Sequence, residues 1–199
     1  NIVGDIAQRN YSLTSGDIGY RYLLKVLEEG NEASVIYKMN SRSDIPGYGY
    51  QLAKGATALT ESWQAFPYVS NNHCMLGHLM EWFYSGLCGI NQEGNSVAFK
   101  EIIINPQPVE NISFAGASYD SPYGLVRTAW KQANGRFELE VEIPVNTTAT
   151  IFIPAGDLNK ISEHGIPIKN QKQFKIEGFK KGKVAIRTGS GVYKFVVEK

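Results

Sequence analysis

The segment Asn134-Gly-Arg-Phe-Glu-Leu-Glu-Val-Glu-Ile143 alternates strictly between apolar and charged side chains after its first three residues. Apolar residues at every second position place one face of a β-strand on a core and the other face in water. The Asn-Gly pair in front is the preferred sequence of a two-residue type I′ turn. The segment therefore predicts a hairpin in which residues 136–143 pair with a preceding strand over residues 125–131.

Period-two patterning continues on both sides of this hairpin, from about residue 96 onward. It predicts five further strands, over residues 99–104, 148–153, 173–176, 184–187 and 192–197. Gly189-Ser-Gly191 is predicted to turn the last two strands into a pair. Several short strands at this spacing are typical of an antiparallel β-sandwich.

Residues before about position 91 follow a helical period instead. A helix is predicted from Ile18, after N-cap candidates in Thr14-Ser15-Gly16-Asp17, to a stop at Gly30, and a shorter one over residues 32–39. The chain is therefore expected to be α+β in two segments, with residues 1–92 helical and residues 93–199 forming the β-sandwich.

Residues 74–87 are predicted to form one helix that is apolar nearly all round, after the caps Ser70-Asn71-Asn72 and before a stop at Gly89. Such a helix is buried on most sides. The residues before it do not supply enough helices to cover it. The sequence begins Asn1-Ile-Val-Gly-Asp5, without an initiator Met or a signal pattern. The first half is therefore expected to be a piece of a larger helical domain.

Composition narrows the classes of function. The 199 residues are 43% hydrophobic and 20% charged, with a formal net charge of +1. This balance does not recruit nucleic acid or an anionic membrane, and no run of about eighteen apolar residues could span a bilayer. No targeting motif identifies the compartment, although a periplasmic or secreted parent protein is favoured.

The cysteines and histidines predict neither a disulfide nor a metal site. Cys74 and Cys88 would stand about 21 Å apart in one helix, far beyond disulfide reach, so both are expected to be reduced core residues. With three scattered histidines they give no metal-ligand spacing. No metal and no cofactor is expected.

The strongest candidate for chemistry is Glu61, within Gly55-Ala-Thr-Ala-Leu-Thr-Glu-Ser-Trp63. Most glutamates are solvated surface residues. Glu61 is distinguished by the nearby side chains that suit a sugar pocket, which are Tyr48, Tyr50, Trp63, Phe66, Tyr68 and His73. Aromatic faces stack on the apolar face of a sugar ring and can desolvate a carboxyl group.

A second group of candidates lies in residues 41–50, which Pro46, Gly47 and Gly49 mark as a loop. Loops on rigid scaffolds are where ligand contacts concentrate. The candidates are Arg42, Asp44 and Tyr48, each of which could instead be a solvated loop residue.

Four blocks carry a resemblance to a known family: Leu13-Thr-Ser-Gly-Asp-Ile-Gly19, Ile45-Pro-Gly-Tyr-Gly-Tyr50, Gly55–Trp63, and Asn72-His73 leading into Gly77-His-Leu-Met-Glu-Trp-Phe-Tyr-Ser-Gly-Leu-Cys-Gly-Ile90. In this order, across roughly ninety residues, they resemble the end of the catalytic domain of bacterial α-L-rhamnosidases, glycoside hydrolase family 78. A β-sandwich directly after the last barrel helix also fits the layout of that family.

The resemblance implies the last third or quarter of an (α/α)₆ barrel, followed by the β-sandwich. It implies hydrolysis of terminal α-L-rhamnose with inversion by two carboxylic acids and without a metal. The carboxyl groups of an inverting pair stand about 6.5–9.5 Å apart, which leaves room for the attacking water. The partners implied are a rhamnose-containing oligosaccharide or glycoside and the upstream part of the same enzyme.

The resemblance assigns the general base to Glu61, a sugar-contacting or base-orienting role to His73, and a ring-stacking wall to Tyr48. Trp63 and Asp44 complete the predicted substrate contacts. The general acid is expected upstream of this sequence, so these 199 residues alone are expected to hydrolyse no α-L-rhamnoside. The sequence departs from the family pattern at Thr60, where an aromatic residue usually precedes the glutamate, and in a shorter interval between Glu61 and His73.

Two other readings stay open. The β-sandwich could be a non-catalytic carbohydrate-binding module that uses Tyr119, Tyr123 and Trp130, although core packing is the favoured role of Trp130. The helical half could belong to an (α/α)₆ hydrolase with a different sugar specificity, as the shortened interval after Glu61 allows.

Overall fold

Helices occupy the first part of the chain and strands the second, which confirms the predicted α+β class. The computed structural model describes residues 1–198. It forms two compact units, one of Asn1–Trp82 and one that begins at Phe83.

The first unit contains five helices among its described residues: α1 (Ile2–Gln8), α2 (Asp17–Glu29), α3 (Ala33–Ser41), α4 (Tyr48–Ala53) and α5 (Leu79–Trp82).

The predictions for α2 and α3 are confirmed to within one or two residues. In α2, Tyr20, Leu24 and Leu27 recur at helical spacing and are buried. The Tyr20 hydroxyl donates a 2.7 Å hydrogen bond to Oδ1 of Asn40, so a buried polar pair ties α2 to α3.

The prediction of a single helix over residues 74–87 is wrong. The segment is a 3₁₀ turn (Cys74–Leu76), then α5, then a π-helical turn (Phe83–Leu87). The amide of Gly77 closes the 3₁₀ turn onto the Cys74 carbonyl at 2.8 Å. A Cβ on Gly77 would lie 2.9 Å from that carbonyl oxygen, so this glycine permits the tight turn that interrupts the helix.

Only one of the two cysteines follows its prediction. Both are free, as expected, but Cys74 is exposed and only Cys88 is buried. Cys74 lies in the tight turn rather than on the inner face of a long helix, so it does not reach a core. Burial raises the pKa of the Cys88 thiol to about 11.

The second unit contains two sheets. In chain order the strands are β1 (Ile90–Gln92), β2 (Glu101–Ile104), β3 (Phe114–Ser121), β4 (Gly124–Ala133), β5 (Arg136–Ile143), β6 (Thr148–Ile153), β7 (Ile161–Glu163), β8 (Ile166–Pro167), β9 (Lys175–Lys180), β10 (Lys183–Thr188) and β11 (Gly191–Glu198). One sheet has the order β1-β2-β6-β10-β9 and the other β3-β4-β5-β11-β7-β8.

The hairpin predicted from Asn134–Ile143 is confirmed. Strands β4 and β5 pair antiparallel with Ala133 opposite Arg136. Asn134 and Gly135 have φ values of 51° and 75°, the left-handed conformation that a type I′ turn requires at both positions. The apolar residues of β5 are buried as the alternation predicts, namely Phe137, Leu139, Val141 and Ile143.

Two details of the predicted sheet are wrong. The sheets are not wholly antiparallel, because β2 and β6 pair parallel. The Gly189–Gly191 turn does not join a pair, because β10 pairs with β6 and β9 while β11 pairs with β5 and β7. A turn pattern shows that the chain reverses direction but not whether the next strand stays in the same sheet. Strands β1, β3, β7 and β8 were not predicted.

A buried lysine in β10 yields a prediction about pH. The side chain of Lys183 is 6% exposed, and its Nζ donates hydrogen bonds to Oδ1 of Asn105 at 2.7 Å and to the Pro106 carbonyl at 2.8 Å. Burial lowers its pKa from 10.5 to about 8. Between those pH values the unfolded chain binds more protons than the folded chain. We therefore expect the free energy of unfolding of the β unit to rise from pH 8 to pH 10.5, by up to about 3 kcal/mol.

Denaturant unfolding of the wild type and of Lys183→Met, at pH 7.5 and at pH 10, checks this expectation. The rise should disappear in Lys183→Met and persist in the exposed control Lys180→Met. An equal rise in Lys183→Met would show that another group is responsible.

Candidate active site

Glu61 lies at the neck of a loop in the first unit. Its amide donates to the Ser70 carbonyl at 2.9 Å, and the Ser70 amide donates to Oε2 of Glu61 at 3.2 Å. Further out from the neck, the His73 amide donates to the Leu59 carbonyl at 2.9 Å. The two short segments around Glu61 and around Ser70 therefore run side by side, and residues 62–69 form a loop between them. The Glu61 side chain is exposed.

The backbone beside Glu61 is fixed by two buried side chains. The Ser62 carbonyl accepts a hydrogen bond from the Thr60 hydroxyl at 2.6 Å and another from Nε2 of Gln51 at 3.2 Å. Thr60 and Gln51 are 1% and 2% exposed. The threonine that departs from the family pattern thus contributes a hydrogen bond next to the carboxylate. Sequence reasoning missed Gln51, because a buried glutamine on a short helix carries no distinguishing pattern.

Trp63 is buried in the helical unit, with only 6% of its surface exposed. Its indole N–H donates to the Ser15 carbonyl at 2.8 Å. Its ring meets Tyr20 and Tyr48 edge-on, with centroid distances of 4.9 and 5.4 Å. Trp63 therefore joins the Glu61 segment to the loop before α2 and to the start of α4.

Tyr48 is half-buried and His73 is partly exposed. Burial raises the pKa of the Tyr48 phenol to about 12, so its hydroxyl stays protonated. Nε2 of His73 lies 3.9 Å from Oδ2 of Asp17, at the first residue of α2. Through Trp63, Tyr48 and His73, the four sequence blocks that carry the resemblance meet around the Glu61 segment.

Asp44 is paired with Arg42 rather than with this aromatic cluster. Nε of Arg42 donates to Oδ1 of Asp44 at 2.8 Å, and a second nitrogen of the guanidinium donates to Oδ2. The remaining guanidinium nitrogen donates to Asn10. The Arg42 hydrogen bonds hold the pKa of the Asp44 carboxyl below its usual value, so Asp44 is an exposed, ionised acceptor.

In the β unit, Trp130 is a core residue, as predicted. It is 2% exposed, and its indole N–H donates to the Leu87 carbonyl at 2.8 Å. Tyr119 and Tyr123 are 41% and 36% exposed. Of the three aromatic residues considered for a carbohydrate-binding sandwich, the tryptophan thus has no accessible face.

Residues 1–198 contain neither a membrane-spanning helix nor a metal-binding cluster. No helix there is long and apolar enough to cross a membrane. No group of three or more His, Cys, Asp or Glu side chains is arranged to hold a metal ion in that range.

Two protein-family models match the chain in succession. Residues 1–87 match the bacterial α-L-rhamnosidase six-hairpin glycosidase domain, and residues 89–166 match the bacterial α-L-rhamnosidase C-terminal domain.

Individual relatives agree with these matches. An α-L-rhamnosidase of Streptomyces avermitilis is 28% identical over 98% of this chain, and one of Formosa agariphila is 31% identical over 96%. The chain spans 19% and 21% of the length of those two proteins.

Solved structures give the same result. The crystal structure of the S. avermitilis α-L-rhamnosidase with L-rhamnose matches 98% of this chain and 19% of its own, with a TM-score of 0.86 and 27% identity. The α-L-rhamnosidase structure from Dictyoglumus thermophilum matches 98% of this chain and 22% of its own, with a TM-score of 0.85 and 29% identity. The chain therefore belongs to the bacterial α-L-rhamnosidase family, in which it corresponds to the end of the six-hairpin glycosidase domain and the C-terminal domain that follows.

Proposed function

We propose that this chain is the C-terminal part of an inverting α-L-rhamnosidase that removes terminal α-L-rhamnose from glycans or glycosides. The observation that carries the proposal is the convergence of the four family blocks on the segment of Glu61, an exposed carboxylate on a backbone held by hydrogen bonds from the buried side chains of Gln51 and Thr60.

Glu61 is the general base in this proposal. The Ser70 amide binds Oε2 and orients the carboxylate, which directs Oε1 to accept a proton from the attacking water. Water then attacks the anomeric carbon from the face opposite the leaving group, and the configuration inverts. The general acid, which protonates the leaving oxygen, is supplied by the upstream part of the enzyme.

The other predicted site residues have separate roles. His73 and Tyr48, which flank the Glu61 segment, contact the reacting rhamnose, and ionised Asp44 accepts hydrogen bonds from sugar hydroxyls. We assign Trp63 a supporting role, because its ring packs against Tyr20 and Tyr48 and its N–H donates to the Ser15 carbonyl. It holds the Glu61 segment in place rather than stacking on the sugar.

The stereochemical outcome tests the proposal. The enzyme that contains this chain should hydrolyse p-nitrophenyl α-L-rhamnoside and should release β-L-rhamnose first, as observed by proton NMR before mutarotation. Initial release of the α-anomer would contradict inversion. Faster hydrolysis of a different p-nitrophenyl glycoside would contradict the sugar specificity.

A further inference from the structure

Within the loop that Glu61 closes, two aromatic rings are stacked on each other and exposed. Phe66 and Tyr68 have nearly parallel rings, with an interplanar angle of 9° and centroids 5.2 Å apart. Phe66 is 39% exposed and Tyr68 is 79% exposed. One face of the Tyr68 ring is thus held by Phe66, and the other face is open.

The position of this pair is set by the neck of the loop. Ser70 follows Tyr68 by two residues. The amide and the carbonyl of Ser70 both form hydrogen bonds with Glu61. Two residues of chain span at most about 7 Å. The Tyr68 backbone therefore lies beside the neck of the loop, where the Glu61 carboxylate accepts the Ser70 amide hydrogen bond.

The chemistry around the pair suits a neutral, hydroxylated ligand. Residues 62–69 contain no charged side chain. Gln64, Asn71 and Asn72 are exposed, and in sequence these amide side chains lie before and after the two rings. A flat aromatic face flanked by neutral donors and acceptors matches a pyranose ring, which has an apolar face and a rim of hydroxyls.

We propose that the open face of Tyr68 binds the pyranose ring of the sugar residue to which the terminal rhamnose is attached. This inference rests on the proposed function and adds to it a determinant of the substrate. A ring as exposed as Tyr68 belongs to the rim of a site, whereas the reacting sugar occupies the part that excludes water. Phe66 preorganises the platform, because a ring that is already stacked loses less conformational freedom when a sugar binds.

Calorimetry on the full-length enzyme with the Glu61→Gln substitution tests the inference, because binding can be measured there without turnover. The probes are methyl α-L-rhamnoside, which has no second ring, and an α-L-rhamnosyl-D-glucose disaccharide. Adding Tyr68→Ala should raise the Kd of the disaccharide roughly three- to tenfold and leave that of methyl α-L-rhamnoside unchanged. Tyr68→Phe, which keeps the aromatic face, should retain the affinity of the parent variant. Phe66→Ala should give an intermediate loss.

An equal rise in the Kd of both probes in Tyr68→Ala would overturn the inference. An unchanged Kd for the disaccharide in that variant, or no measurable binding of the disaccharide to the Glu61→Gln enzyme, would also overturn it. A fall in melting temperature of Tyr68→Ala with unchanged Kd values would show that the ring packs against another part of the enzyme, and would also overturn it. Turnover of methyl α-L-rhamnoside by the wild type reports on the proposed function separately. The proposed function can therefore be supported even when the inference about Tyr68 is contradicted.

Discussion

Replacement of Glu61 by Gln in the full-length enzyme is expected to lower kcat for p-nitrophenyl α-L-rhamnoside by roughly 10²- to 10⁴-fold. The amide keeps the size of the side chain and can still accept the Ser70 amide hydrogen bond, but it cannot take the proton of the attacking water. KM and the melting temperature should change little, because the change removes an interaction made in the transition state. Glu110→Gln, at an exposed glutamate of the β unit, is the matched control and should keep wild-type kcat.

A small nucleophile that needs no base provides a second measurement. In Glu61→Gly, azide can occupy the space of the missing carboxylate. It can then attack the anomeric carbon from the face opposite the leaving group, as the water does in the wild type. We expect azide to restore part of the rate and to form β-L-rhamnosyl azide, which NMR identifies. Formation of the α-azide, or near-normal kcat in Glu61→Gln, would rule out Glu61 as the base.

Replacement of Trp63 by Ala is expected to destabilise the helical unit by about 3–5 kcal/mol. The change removes the ring that packs against Tyr20 and Tyr48, and it leaves the Ser15 carbonyl without its indole donor. Because the Glu61 segment depends on this packing, activity should fall together with stability. Denaturant unfolding and kcat, measured on the same samples, check the expectation.

Stability and KM, compared between Trp63→Phe and Trp63→Ala, separate packing from contact with the sugar. Phenylalanine keeps part of the ring packing, but it leaves a cavity where the larger indole was and loses the N–H, at a cost of about 1–3 kcal/mol for the unpaired carbonyl. The folded variant should therefore retain wild-type KM. If Trp63→Ala folds with wild-type stability and a raised KM, the residue stacks on the substrate, as the sequence alone suggested.

Most of the β unit could be predicted because its strands bury one face. In Phe137, Leu139, Val141 and Ile143 the alternation specifies both the strand and its inner side. Strands β7 and β8 are too short to show alternation, and the exposed residues of edge strand β3 do not show it. The sequence also did not show which sheet each strand joins, because β10 and β11 are adjacent in sequence yet belong to different sheets.

In the helical unit, the residue types indicated which part of the sequence forms the site. They did not indicate whether each side chain packs in the core or faces the ligand. Aromatic residues near Glu61 suggested a sugar pocket, and the structure brings Tyr48 and Trp63 together. Composition could not show that the Trp63 ring is enclosed, because an indole suits a core as well as a sugar face. Gln51 contributes through a single backbone carbonyl in another segment, which depends on tertiary geometry alone.

The hydrogen bond from Trp130 to the Leu87 carbonyl bears on how this β-sandwich could be exchanged between proteins during evolution or in engineering. The π-helical turn that provides Leu87 looks, in sequence, like the tail of the preceding helices, yet it belongs to the unit of the strands. Strand β1, which pairs with β2, follows it directly. A recombination joint placed where helical periodicity gives way to alternation would strip the sandwich of an edge strand and leave a buried indole N–H without an acceptor. A transferable module would have to start at Phe83.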